Sequence, residues 1–157
     1  MELIGRITIH PVLFCSGKVA GYLLWILFAL DYVGVHVIPR LHGTILDVLS
    51  ATAWIVGFAF IALSFLSLGR SIRFGLPTQS TELKTSGVYR LSRNPMYVGF
   101  DALTLAAILR FGSLVVLLLG IYSAVVYHLI ILGEERFLEL TFGRQYDHYK
   151  TRVRRYV

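Results

Sequence analysis

Residues 93–135 read RNPMYVGFDALTLAAILRFGSLVVLLLGIYSAVVYHLIILGEE, and this stretch decides the fold. It opens on Arg93-Asn94-Pro95 and closes on Glu134-Glu135. Between these ends runs apolar sequence, broken by the turn-like Arg110-Phe111-Gly112-Ser113. Two apolar runs joined by so short a turn predict a tight helical hairpin. A hairpin returns its ends to one side, so a basic loop and a pair of acids are expected to face one another.

The rest of the chain has the same character. Of 157 residues, 56% are hydrophobic and 15% charged, the mean hydropathy is +0.69, and the net charge is still +6. Such a chain belongs in a membrane, with its basic residues gathered in a few places. It lacks the hydrophilic basic face of a nucleic-acid binder. The single cysteine, Cys15, excludes an intrachain disulfide and a cysteine-based zinc cluster within one chain. A spanning helix needs about 20 apolar residues. The expected fold class is an all-α integral membrane protein with about four transmembrane helices, a C-terminal helical hairpin and a cytoplasmic amphipathic tail helix. One membrane domain, 1–157, is expected, with spans near 17–38, 45–69, 94–110 and 111–133. The first stretch starts late, lacks a small-residue cleavage site and is long enough to span, so it reads as an anchor and not as a cleaved leader.

Charge sets the orientation. Arg70, Arg73, Lys84, Arg90 and Arg93 crowd the second loop, and Arg136, Arg144, Lys150, Arg152, Arg154 and Arg155 follow the last span. The first and third loops carry only Arg40 and Arg110. Positive residues favour the cytoplasmic side, which places both termini and the Arg93 loop there. In the tail, Phe137, Leu138, Phe142, Tyr146 and Tyr149 recur at helical spacing among charges, with Gly143 as a candidate break.

Several residues can carry chemistry. Asn94-Pro95 reads as the N-cap and first turn of a helix. Such a terminus, beside Arg93, favours an anion. Gly87 suits a tight turn, and Tyr89 and Tyr97 offer aromatic faces. The competing reading is a capped helix whose arginine anchors to lipid phosphates. Glu134 and Glu135, placed at the end of the last span, would oppose the helix dipole and call for a cationic partner: Arg136, Arg93 or a ligand's ammonium. Asp31 and Asp101 fall inside apolar stretches, where ionisable groups are costly and are functional candidates. His36 and His128 read as hydrogen-bonded packing residues. A Gly-x-Gly-x-x-Gly fingerprint, a Walker A lysine and a His-Glu-x-x-His zinc motif are all missing from the sequence.

The combination Gly87-Val88-Tyr89, Arg93-Asn94-Pro95-Met96-Tyr97-Val98-Gly99, Glu134-Glu135 and Phe142-Gly143-Arg144-Gln145-Tyr146-Asp147-His148-Tyr149 resembles the isoprenylcysteine carboxyl methyltransferases and the related phospholipid N-methyltransferases. The resemblance covers roughly residues 69–157. It implies S-adenosylmethionine as cofactor, bound within residues 70–157. The implied cofactor-binding residues are Thr81, Glu82, Leu83, Lys84, Tyr89, Arg93, Asn94, Pro95, Met96, Tyr97, Glu134 and Glu135, with Glu134 meeting the cofactor's ammonium. No metal is implied and no catalytic residue is singled out. Two positions depart from the family pattern. The usual histidine is Asn94, which cannot titrate. The arginine with which the eukaryotic prenylcysteine enzymes hold substrate is Ile130, which removes the reason to name a prenylcysteine carboxylate. The implied partners are a lipophilic small-molecule or lipid acceptor and the membrane, with no nucleic acid and no obligate protein partner. The expected location is a bacterial cytoplasmic membrane. Two alternatives stand beside this reading: a membrane reductase using NADPH, since Arg-x-Pro-x-Tyr also occurs in sterol reductases, and a non-catalytic membrane subunit.

Overall fold

A computed structural model describes residues 9–68 and 83–157. Helices account for its regular structure: α1 (Pro11–Tyr32), α2 (Thr44–Leu68), a short 3-10 turn (Gly87–Arg90), α3 (Pro95–Phe111), α4 (Leu114–Phe142) and α5 (Arg144–Arg152). Among the described residues there is no strand. Helices α1, α2 and α4 are long and apolar enough to cross a membrane. Helix α3 has 17 residues, a length of about 25 Å, which is less than the roughly 30 Å of a bilayer's hydrocarbon core. The described residues therefore form an all-helical membrane protein with three long apolar candidate spans, where about four were expected.

The boundaries shifted in two places. Helix α1 was expected over 17–38 and occupies 11–32. Pro11 sits in its first turn, where a missing N–H costs nothing, and the ladder ends as Gly34 N–H turns to Asp31 O at 3.1 Å. Helix α4 was expected to stop at Gly133 and runs on to Phe142. The two acids thus lie inside a helix, not at its C-terminus, so the dipole argument made for them does not apply. The break comes at Gly143, whose φ of +48° few side chains tolerate; a short helix, α5, begins just after it. The hairpin turn formed as expected, at Gly112 and Ser113.

Helix packing rests on small residues, as is common where lipid removes the hydrophobic drive between helices. Helix α2 crosses α3 so closely that a Cβ on Gly57 would meet the Gly99 carbonyl oxygen at 2.9 Å, and one on Gly99 the Gly57 oxygen at 2.7 Å. Helix α1 approaches α4 through Gly17, against Val126, and Gly21, against Ser123 and Tyr127. Outward from these seams the helices expose Ile45, Ile55, Leu66, Leu114, Val115 and Leu118, side chains suited to lipid.

At the hairpin-turn end an ionic knot joins three helices. Arg110 donates through Nε to Asp31 Oδ2 at 2.7 Å and also pairs with Asp47. Asp31, 2% exposed, holds His36 Nδ1 at 2.6 Å as well. Asp31 is thus a satisfied structural carboxylate that ties the end of α1 to α3.

Candidate functional site

The other end of the bundle gathers the basic loop, the acids and the tail. The loop enters through the Gly87–Arg90 turn, with Gly87 at φ +63° against Ser67 of α2. Beyond it the backbone is pinned to the chain's last residues. Arg93 N–H donates to Arg154 O at 3.0 Å, and the Ser92 hydroxyl donates to Arg155 O at 3.1 Å. Residues 153–157 so lie as a strap across the loop.

Asn94 takes the N-cap position of α3, but its side chain makes no capping bond. Its amide donates instead to Glu135 Oε1 and to Arg155 O, both at 3.2 Å. Glu135 is 4% exposed and fully engaged. Its Oε1 also meets Arg93 Nη2 at 3.1 Å, while Oε2 accepts Arg155 Nε at 3.0 Å and Nη2 at 2.8 Å. A carboxylate held by two guanidiniums and an amide is a lock: charge-assisted bonds repay its desolvation only in such a complete geometry. The same bonds push the Arg155 guanidinium's pKa above its usual value.

Glu134, the neighbouring acid, is differently placed. Its Oε1 accepts the Tyr97 hydroxyl at 2.8 Å, its one hydrogen bond among the described residues. Lys18 of α1 is close enough for its charge to act on Glu134. It lies over the Phe14 ring at 4.0 Å and has no ion pair among the described residues. Tyr97 stands in an aromatic wall, 5.8 Å from both the Phe100 and Tyr127 rings. Tyr89 belongs to the same region: burial first, then the Tyr149 and Glu134 charges, push its hydroxyl up to about 12. Its backbone carbonyl accepts the Tyr149 hydroxyl at 2.6 Å. Arg93 adds a buried Nε–H with no partner among the described residues.

The expected site residues therefore divide. Tyr97 and Glu134 are bonded, with one carboxylate oxygen uncommitted among the described residues, and Tyr89 lies within reach of the Glu134 charge. Arg93, Asn94 and Glu135 form the lock beside them. Pro95 is buried in the first turn of α3 and Met96 is half-buried next to it. Leu83 packs with Tyr146, Tyr149 and Val153 beneath α5, and Lys84 is half-buried. Thr81 and Glu82 lie outside the described residues. Sequence reasoning missed Lys18 and Arg155. Lys18 lies within the first apolar helix, a position that calls for a partner. Arg155 was counted as topological charge, and no spacing rule ties it to Glu135. Among the described residues no group of three or more His, Cys, Asp or Glu could hold a metal.

The arrangement suits a small ligand that carries both charges and a flat ring. Its cationic group would meet Glu134 and the aromatic faces, and its anionic group the Arg93 Nε–H.

Comparison with known proteins bears on this geometry. Residues 45–145 match the family model described as phospholipid methyltransferase. The match takes in α2, α3, α4 and the loop between α2 and α3, and so most of the site. None of the curated proteins and none of the solved structures matches the chain.

Proposed function

Because the chain belongs to the phospholipid methyltransferase family, we propose that it transfers a methyl group from S-adenosylmethionine to a small lipophilic or lipid acceptor at the membrane. The observation that carries this reading is Glu134: a carboxylate oriented by Tyr97 at 2.8 Å, with its other oxygen uncommitted among the described residues. The residues fit the cofactor. Glu134 would hold its ammonium, the Arg93 Nε–H, which has no partner among the described residues, its carboxylate, and Tyr89 and Tyr97 would flank its ring system. When bound, the cofactor supplies a methyl group already activated on a positive sulfur.

The protein's share of the work is alignment and exclusion of water. The Arg93–Glu135–Arg155 lock fixes the guanidinium that faces the ligand. The strap covers the loop, and the apolar helices keep water away. Glu134 lowers the energy of a nearby cation in a region of low dielectric.

The loop and tail arginines assign this end of the bundle to the cytoplasmic side, with both termini there. Helix α3 is read as a fourth, short crossing. Its Arg110 bonds Asp31 and Asp47, at the ends of α1 and α2, so α3 reaches the level at which those helices end.

Titration calorimetry of S-adenosylhomocysteine into detergent-solubilised protein tests the reading. Loss of a charge-assisted bond worth about 1.5–3 kcal/mol predicts roughly 10- to 100-fold weaker binding for Glu134→Gln, with the melting temperature unchanged. No saturable binding, or binding indifferent to Glu134→Gln, overturns it. NADPH is expected not to compete.

A further inference from the structure

Asp101 is an acid within α3 that nothing above uses. One of its oxygens, Oδ1, is buried and without a partner among the described residues, while the residue as a whole is partly exposed. The other buried carboxylates are committed: Asp31 to Arg110 and His36, Glu135 to two arginines and Asn94. A buried polar atom left unpaired costs about 1–3 kcal/mol, and an ionisable group at membrane depth is costly to keep. Asp101 is thus the acid whose place the fold does not explain.

Its surroundings are specific. Asp101 lies one helical turn beyond Tyr97, so the two share a face. It is seven residues from Asn94, which sets it about 10 Å below the start of α3. On α4, His128 is six residues before Glu134, about 9 Å deeper than that acid. The two residues therefore reach a similar depth on the paired helices. The strap completes the group: the Tyr156 hydroxyl meets His128 Nδ1 at 2.7 Å with the rings stacked, and the charge of Asp101 acts on that same hydroxyl. Helix α3 thus sets an acid at about the depth at which helix α4 and the chain's last residues hold the bonded imidazole and phenol, and Asp101 as a residue is partly exposed.

We propose that Asp101 holds the methyl acceptor's reacting group and takes its proton, with the His128–Tyr156 pair as the positioning partner beside it. This rests on the methyltransferase reading. The acceptor's lone pair forms the new X–C bond, the C–S bond breaks with its electron pair left on sulfur, and the X–H proton passes to the Asp101 carboxylate. The acceptor is accordingly one that has a proton to lose, an amine, thiol or hydroxyl on an apolar chain. A carboxylate has none to lose and would be repelled.

The test uses the full-length protein in detergent with dodecylamine, dodecanethiol, dodecanol and dodecanoate as probes. In Asp101→Asn, methyl transfer to the protic probe that the wild type prefers is expected to fall at least about 100-fold, the low end for loss of a proton acceptor. Binding of S-adenosylhomocysteine should stay within twofold. Without turnover, and with S-adenosylhomocysteine present, the wild type should bind dodecylamine at least tenfold tighter than dodecanoate by calorimetry, and Asp101→Asn should erase that preference. Transfer that survives in Asp101→Asn within threefold, or a wild type that favours dodecanoate, overturns the proposal. If the variant fails to fold, the wild-type comparison of amine and carboxylate still decides. A wild type that binds no S-adenosylhomocysteine defeats the methyltransferase reading itself, an outcome separate from these.

Discussion

Glu134 and Glu135 are identical side chains on adjacent residues, and the fold gives them opposite tasks. Rotation by 100° per helical residue turns Glu135 into the seam against Arg93 and Arg155 and leaves Glu134 facing Tyr97 and Lys18. That a pair of acids at this place needed cationic partners was legible in the sequence; which acid would be locked was not, because Arg155 arrives from 20 residues further along. Tyr89 offers a check at this scale. Burial raises its hydroxyl from 10.0 to about 12, so the unfolded chain releases this proton first. The stabilisation is present in full below pH 10 and is lost as the pH climbs through about 12. The melting temperature in detergent is expected to fall across that window, and Tyr89→Phe should flatten the fall, as a series of melts from pH 9 to 12 would show.

At the scale of elements, the hairpin was predictable because its turn is short and polar between two apolar runs. The end of α4 was not. Gly133 inside a helix costs about 1 kcal/mol against alanine, too little to stop a helix whose next turns pack on the loop and the tail. Gly143 does stop it, since φ +48° is strained for any residue with a Cβ. The two kinds of glycine should respond differently to alanine. Gly99→Ala drives a methyl into the α2 backbone and is expected to cost about 1–3 kcal/mol from overpacking, lowering the melting temperature and loosening the α2–α3 crossing. Gly143→Ala meets nothing within 4 Å. Its cost is backbone strain alone, and its effect should concentrate at the α4–α5 corner. Hydrogen exchange of α2 and α3 distinguishes them: faster exchange is expected in Gly99→Ala and not in Gly143→Ala.

Across the whole molecule, charge is concentrated at the two ends of an apolar bundle, and the ends do different work. The Arg110–Asp31–Asp47 knot holds the turn end, and the Arg93–Glu135–Arg155 lock holds the site end. Removing one partner of a buried pair typically costs about 3–5 kcal/mol. Arg110→Met should therefore lower the melting temperature while leaving the affinity of the folded protein for S-adenosylhomocysteine within twofold. On the proposed function, Arg155→Ala should lower both, since it frees Glu135 and Arg93, the arginine assigned there to the cofactor's carboxylate. Melting curves and calorimetry on the two variants give the comparison; equal effects on binding would show that the ends are not independent.

The amino-acid sequence determined what depends on local order and on solvent. Apolar runs and arginine placement define a helical membrane protein, and Arg93-Asn94-Pro95 with Glu134-Glu135, joined by a hairpin, mark one end of the bundle as the candidate site. The tertiary structure decided what depends on contacts between distant residues. It assigned Glu135 to the lock and left Glu134 with a single hydrogen bond among the described residues. It turned Asn94 from a helix cap into a partner of that lock. It satisfied Asp31 with Arg110 across 79 residues of chain and left Asp101 without a partner among the described residues. Periodicity and composition specify the environment each residue must enter, but a buried charge is settled by the partner that reaches it, and those partners meet only when the helices pack.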